Sequence, residues 1–462
     1  MRIAFFCYFC ILSAISFFVK RKKETDQSYA LGNRSINYWV TAIATQASDM
    51  GSWLFLAFPA AIYTNGLFEF WTAIGLIIFM FLNWVFIAAP LRNDTEKYNA
   101  VTVTEYFSKK YHDHSGYIGI IGGFLTLLFF TFYTASGLVG MGRLFESAFG
   151  LNYHTGICLG LLTVALYTLI GGFIAVAWCD FFQGVFLLAV IVIVPIYAYF
   201  YIGGLQPILA SATANAISLS LFPENKNLVH ALFLASSWGL GYFGQPHILI
   251  NFMGIDDVHK TKQATYIGMT WQIIVLTAAA CIGIVGLGFY PNDIANTELL
   301  FVDITQALFV PFFTGLALCA ILAATLSSMD SHILVSGATC AQDILPFFVK
   351  KQSHNHLLWA SRAGSLGISL LALAIAWNNT NSVYSLVNYA WSGLGSSFGP
   401  LVIISLYFSK HMNTSIALCG IISGAFVSGL LPFFAPTILP LVPGFLTSLC
   451  IMLFLKTVIK YR

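Results

Sequence analysis

The feature that most constrains this chain is a near-continuous series of apolar stretches, each about 20 residues long, joined by short polar connections. A stretch of that length crosses the hydrocarbon core of a bilayer as one helix, because a helix satisfies its own backbone groups where lipid offers them no partner. Composition agrees: 58% of the 462 residues are hydrophobic and 8% charged, against roughly a quarter charged in soluble domains. Length alone would allow two or three soluble domains, but the apolar series overrides that reading and gives one all-α membrane domain. The net charge of +3 does not point to nucleic acid, since the basic residues sit in short groups between apolar runs.

Apolar runs and their breakers predict thirteen spans, starting near Ile3, Tyr38, Glu69, Tyr117, Thr155, Phe181, Leu228, Tyr266, Leu308, Leu357, Tyr384, Ile416 and Ile438. With the amino terminus outside, eighteen of the twenty-one Lys and Arg residues fall on the cytoplasmic side: Lys20, Arg21, Lys22, Lys23, Arg34, Arg92, Lys97, Lys109, Lys110, Lys260, Lys262, Lys350, Lys351, Arg362, Lys410, Lys456, Lys460 and Arg462. Only Arg2, Arg143 and Lys226 remain outside. This is the positive-inside asymmetry, and it requires an odd span count with a cytoplasmic carboxy terminus. The first span, Ile3 to Val19, differs from a signal peptide because its charges, Lys20 to Lys23, follow the apolar run; it reads as a retained anchor. The expected organisation is an anchor and basic loop (1–36), a five-helix set (37–204), an external loop (205–227), a second set (228–408), and two terminal helices with a short tail (409–462). The nine cysteines lie in or beside apolar runs; Cys7-x-x-Cys10 is half of a zinc site with no second half, so no metal is expected.

Two spans are interrupted. The second, Trp39 to Trp53, carries Ser48, Asp49, Gly51 and Ser52 near its middle; the seventh packs Gly239, Gly241, Gly244 and Pro246 into the nine residues from Trp238. A broken helix in lipid is tolerated only where neighbours or a water-filled cavity satisfy the freed backbone. Breaks at matching places in two halves point to a transporter's midplane site. Asp49 strengthens the pointer, because a carboxylate in a membrane needs a functional reason. Gly171-Gly172, Gly420 and Gly424 read as positions of close helix packing.

Longer motifs are Leu31-Gly32-Asn33-Arg34-Ser35, Ala47-Ser48-Asp49-Met50, Phe129 through Gly137, Arg143 through Ser147, and Ile170 through Phe173. They continue with Ala177 through Asp180, Trp238 through Leu249, and Tyr389 through Pro400. On these residues, which span nearly everything from Tyr29 onward, the chain resembles the sodium:solute symporter family. The resemblance implies a LeuT-like fold of two inverted five-helix repeats plus terminal helices in a bacterial inner membrane. It also implies sodium-driven import of a small amino acid, proline first, by alternating access. Another small zwitterion, or a carboxylate such as pantothenate, is the rival substrate. A sensor module would need a signalling domain after the last span, and an enzyme would need more than His247 and His332, which form no motif.

The resemblance further implies a sodium site built from the carbonyls of Ala47, Met50 and Ala324 and the hydroxyls of Ser327 and Ser328. Oxygen donors suit a hard cation, although helical serines also back-bond to their own helix. Asp49 is expected to couple ion binding without ligating the ion. Asp180, placed at the cytoplasmic end of the fifth span, either serves sodium use or sits solvated in a short loop. Arg34 is either a cytoplasmic gate or a positive-inside anchor. The implied substrate residues are Gly51, Ser52, Tyr133, Trp238, Tyr242 and Pro246, with aromatic walls for a ring and helix-terminal amides for a carboxylate. Three departures from the proline symporters stand out. Gly51-Ser52 inverts their Ser-Gly, Asn251 replaces an arginine, and Asp330 replaces a small hydroxyl residue.

Overall fold

The computed structural model describes residues 1–19, 25–291, 294, 296–349, 352–378 and 382–460. Lys20 to Lys23, Lys350, Lys351 and Arg462, counted above as cytoplasmic, lie outside the described residues. Regular structure among the described residues is helical, with one isolated bridge pairing Ile36 with Ile255. In chain order the main helices begin with α1 (Arg2–Val19), α2 (Tyr38–Asp49), α3 (Ala57–Asn65) and α4 (Phe70–Leu82), the last prolonged through a π-turn at Asn83–Ala88 into Ala89–Lys97. They continue with α5 (Tyr117–Phe149), α6 (Tyr153–Tyr201), α7 (Leu228–Gly239), α8 (Pro246–Gly254) and α9 (Thr261–Phe289). The remainder are α10 (Pro311–Thr339), α11 (His354–Ala376), α12 (Val383–Tyr407), α13 (Thr414–Phe434) and α14 (Leu441–Lys460). Nine helices among the described residues are long and apolar enough to cross a membrane by length and composition.

Burial sorts these helices into centre and periphery. The most apolar stretch of α10 is 83% buried, that of α14 only 22%, so α10 is the hub and α14 faces outward. Around the hub lie α1, α2, α5, α6 and α11. The peripheral helices present Phe433, Phe434 and Phe454 to their surroundings, as lipid-facing helices do. The first helix is part of this wall: Gln183 Nε2 of α6 donates to Tyr8 Oη at 3.1 Å, and Gly315 of α10 lies against Met1.

Both expected interruptions are present. The α2 helix stops at Met50 (φ −84°, ψ 72°), a 3₁₀ turn covers Ser52–Leu54, and α3 resumes at Ala57. The second runs from α7 through a 3₁₀ turn at Leu240–Gly244 and an extended Gln245 into α8. Gly241 is needed there for closeness, because a Cβ on it would stand 2.0 Å from Trp391 Nε1.

A third break departs from expectation. Gly172 does more than pack: at φ 61° and ψ −170° it divides α6, so the chain turns at Gly172 and not near Phe181. That conformation is open essentially to glycine alone, and the Tyr29 backbone lies 3.3 Å from where a Cβ would be. Gly424 packs as expected, 2.1 Å separating its would-be Cβ from the Ser396 carbonyl.

Gly172→Ala should therefore cost about 1–3 kcal/mol and lower the unfolding midpoint in detergent. Gly367→Ala, with open space at its Cβ, should leave that midpoint unchanged or slightly raised.

Candidate functional site

The α2 break lies against α10. Gly51 N–H turns back to the Asp49 carbonyl (3.0 Å) and so leaves the helical ladder to Ala47 unmade. The released Ala47 carbonyl accepts instead from Ser327 Oγ at 2.8 Å, and the same hydroxyl lies 3.0 Å from the Ala324 carbonyl. Ser328 Oγ back-bonds to the Thr325 carbonyl at 3.1 Å and stands 2.8 Å from the Cβ that Gly51 lacks. Three of the five implied sodium donors, the Ala47 and Ala324 carbonyls and Ser327 Oγ, thus meet at one junction, with Ser328 against Gly51 and Met50 capping α2 nearby. The set is all oxygen and carries no net charge, which suits a hard monovalent cation.

Asp49 is turned away from this cluster. Tyr242 Oη donates to its Oδ2 at 2.5 Å, and Gln272 Nε2 donates to Tyr242 Oη at 2.9 Å. Its Oδ1 has no hydrogen-bond partner among the described residues. Tyr242 belongs to the break between α7 and α8, so one carboxylate joins the two interrupted helices directly. Asp49, Trp53, Leu76, Tyr133, Trp238, Val387 and Trp391 enclose a void too narrow for a water molecule. Its walls hold one another: Trp391 Nε1 donates to the Trp238 carbonyl at 2.7 Å, and the Trp53 and Trp238 rings stack 6.4 Å apart.

Of the expected substrate residues, Tyr133 and Trp238 line this void, while Tyr242 stands behind Asp49 with its ring 5.2 Å from Trp391. Gly51, Ser52 and Pro246 lie outside the lining: Gly51 faces Ser328, Ser52 packs on Gly140, and Pro246 opens α8. Trp53 and Trp391 are lining residues that sequence reasoning did not single out, although both stand in or beside the quoted motifs.

Asp180 is not in a solvated loop. It lies inside α6, 1% exposed, because the chain breaks at Gly172 and not after it. Ser331 Oγ donates to its Oδ2 at 3.4 Å and Asp330 adjoins it, so the departure at Asp330 places two acids together. His247 and His332, far apart in sequence, meet edge to face with ring centroids 4.6 Å apart, both against Tyr133.

Two ends of the molecule differ. Arg34 donates to Thr95 Oγ1 (3.2 Å), the Met253 carbonyl (2.7 Å) and the Ala100 carbonyl (2.8 Å), tying the start of α2 to the ends of the α4 extension and α8. Burial, with nearby Arg92, lowers its pKa to about 10, so it stays protonated at neutral pH. At the opposite end a narrow gap lined by Trp53, Trp238, Glu69 and Tyr384 shares residues with the void on one side and with a polar vestibule of about 1300 Å³ on the other. Arg143 pairs with Glu298 at this end.

Interrupted helices joined through a buried carboxylate, with an oxygen cluster on one side and an aromatic cage on the other, are the arrangement of a membrane transporter's midplane site. Over 99% of this chain and 97% of the other, the fold matches a sodium-coupled sialic acid symporter in a substrate-bound outward-open state (TM-score 0.80, 17% identity). A second match is MhsT in complex with L-phenylalanine (TM-score 0.58, 14% identity, covering 90% and 98%). The model of the sodium:solute symporter family matches residues 29–424, and the chain belongs to that family. Among similar relatives are the sodium/proline symporter of Salmonella typhimurium, 38% identical over 92% of this chain and 86% of the relative, and a high-affinity proline transporter of Bacillus subtilis, 36% identical over 96% and 94%.

Arg34→Ala releases three acceptors, each bond to a charged donor being worth about 1.5–3 kcal/mol. In a background without native cysteines, a cysteine replacing buried Asn251 should then react with a membrane-permeant maleimide at least about tenfold faster, with Arg34→Lys intermediate. Equal rates would leave Arg34 an anchor only.

Proposed function

We propose that the chain is a sodium-coupled symporter importing L-proline by alternating access. The observation that carries this reading is the junction at the α2 break, where a helix carbonyl freed by Gly51 and a hydroxyl of α10 share one point. The names of the relatives supply the ion and the amino acid. In this reading the breaks of α2 and α7–α8 open two inverted five-helix repeats, thirteen helices cross the bacterial inner membrane, and the Arg34 end faces the cytoplasm.

External sodium takes the place between the Ala47 and Ala324 carbonyls as the Ser327 O–H, keeping its proton, rotates away to offer its oxygen, and the break is fixed. Fixing the break also positions Asp49 and, through Tyr242, the second break. Asp49 Oδ1 then faces the secondary ammonium of the substrate, and Trp53, Trp238 and Trp391 hold its ring. The closed void requires these walls to part on entry, and Arg34 holds the inner side shut meanwhile. One charge moving through about 100 mV supplies about 2.3 kcal/mol. With a tenfold sodium gradient, accumulation of a neutral zwitterion reaches roughly 500-fold.

Gly51-Ser52, Asn251 and Asp330 all lie outside the lining of the void, so the departures from the proline symporters alter its surroundings and not its walls. Asn251 Nδ2, for instance, donates to Ser48 Oγ at 3.4 Å beneath the α2 break.

Uptake of a radiolabelled amino-acid panel into proteoliposomes tests the reading: proline should accumulate only with an inward sodium gradient. Preference for another zwitterion would replace the substrate and keep the coupling. Removing the hydroxyls of Ser327 and Ser328 together should raise the sodium concentration for half-maximal uptake by roughly tenfold or more; unchanged sodium dependence would remove the ion from this junction. Asp49→Asn should keep the protein in the membrane while abolishing most sodium-driven uptake, and full activity in that variant would reduce Asp49 to a structural role.

A further inference from the structure

The central site leaves two buried imidazoles unused. His247 and His332 are fully buried, and none of their four ring nitrogens has a hydrogen-bond partner among the described residues. Tyr133 Oη is likewise buried without one. The Tyr133 ring packs on both imidazoles, 4.1 Å from His332 and 5.7 Å from His247, and Phe130 packs on them at 4.9 and 5.7 Å. Tyr133 also lines the central void, so the pair adjoins the void through one shared wall. His247 lies in α8 between Tyr242, at the break, and Met253, whose carbonyl Arg34 holds. His332 lies more than a turn beyond Ser327 in α10, toward Asp343, which accepts from Thr102 close to the Arg34 anchor at Ala100. The pair is therefore on the Arg34 side of the void.

One imidazole packed on phenylalanine needs no function. Two imidazoles and a phenol together are different, because each neutral imidazole carries one N–H donor and one acceptor whichever tautomer it adopts. Left unpaired in a dry interior these groups cost free energy, and a ligand that pairs with them recovers it. Three donors lie together here, and among the described residues no carboxylate, lysine or arginine acts on either imidazole. An ammonium finds no counter-charge at such a place and stays with Asp49, whereas a carboxylate finds donors and no competing anion. We propose that His247, His332 and Tyr133 form a release subsite for the carboxylate of the amino acid, occupied as the substrate leaves the void toward the Arg34 end. With the ammonium still at Asp49, the carboxylate leads past Tyr133 and accepts an N–H from each imidazole as α8 parts from α5 and α10. This deepens the reading of the central void as an amino-acid site and rests on it.

Membrane vesicles of both orientations test it. Their sidedness is fixed by impermeant labelling of a cysteine placed at exposed Lys97, close to the Arg34 anchor at Thr95, in a background without native cysteines. The probe is cyclopentanecarboxylate, which keeps the ring and carboxylate of proline and lacks the amine that Asp49 would hold. In the first seconds, before the acid crosses the bilayer, it should inhibit proline transport from the Arg34 end at a concentration at least about tenfold lower than from the vestibule end. Cyclopentanecarboxamide, neutral and of nearly the same shape, should inhibit from the Arg34 end at least about tenfold more weakly, a comparison that needs no variant. His332→Phe and His247→Phe keep ring packing and remove donors. Each should raise the half-inhibitory concentration at the Arg34 end about three- to tenfold and leave it within about twofold at the vestibule end. His332→Gln, whose amide still donates, should stay near wild type at both ends. Equal potency from both ends, an amide as potent as the carboxylate, or unchanged inhibition in both phenylalanine variants would overturn the proposal. The wild-type panel separately decides the central reading; if it selects a different zwitterion, the deaminated analogue of that one is the probe.

Discussion

The arrangement of the site depends on one backbone carbonyl leaving its helix. In an unbroken α2, Ala47 would receive the Gly51 N–H and have nothing to offer a neighbour. Because Gly51 N–H returns to Asp49, the Ala47 carbonyl is free for Ser327 on the hub helix α10. Gly51 also lets α10 lie close beside this contact, since a Cβ on it would stand 2.8 Å from Ser328 Oγ. A hydroxyl proton between two carbonyls is a weak, replaceable occupant of a place that suits a cation. Backbone geometry, side-chain absence and ion chemistry therefore converge on four residues.

The same break sets the position of Asp49. Its backbone carbonyl receives both Gly51 N–H and Trp53 Nε1, at 3.0 and 3.1 Å, so the residue is fixed from the main chain outward. Its carboxylate then accepts from Tyr242 Oη, which in turn accepts from Gln272 Nε2, a neutral chain that holds its shape without cancelling its charge. A buried acid held in this way is costly by itself. A cation at the oxygen cluster or an ammonium in the void lowers that cost, and each therefore favours the other, reciprocally by linkage.

Much of this was legible in the sequence, but unevenly. The α2 break could be read because a carboxylate and small polar residues interrupt an apolar run, and the glycines with Pro246 marked the second break equally well. The expectation of a sodium site came from family resemblance; the residues alone favoured back-bonding, and Ser327 makes both the cross-helix and the back-bonding contact while Ser328 makes only the second. Trp53 and Trp391 escaped notice because aromatic residues make up 16% of the chain, and sequence alone does not rank them. The break at Gly172 was misread as packing, since a positive φ leaves no mark beyond the glycine itself. That one error carried Asp180 to a helix end when it lies buried in a helix interior. The edge-to-face contact of His247 with His332 depends on how α8 and α10 cross, which no local pattern encodes.

The two interrupted helices are not parallel devices with separate tasks. Tyr242 sits in the second break and bonds the acid of the first, while Gln245 Nε2, at the end of that second break, donates to the Trp391 carbonyl at 3.0 Å. Trp391 in turn donates to the Trp238 carbonyl, closing a ring of contacts from α2 through both halves of the broken α7–α8 segment to α12 and back to the aromatic wall. A helix with its ladder intact transmits a local change only as rigid displacement, because its backbone groups are already paired. Breaks supply unpaired groups that can exchange partners at small cost, so the oxygen cluster and the aromatic cage are linked through shared contacts and not through rigid helices alone. Trp238 is common to the closed void, the ring of contacts and the gap beneath the vestibule.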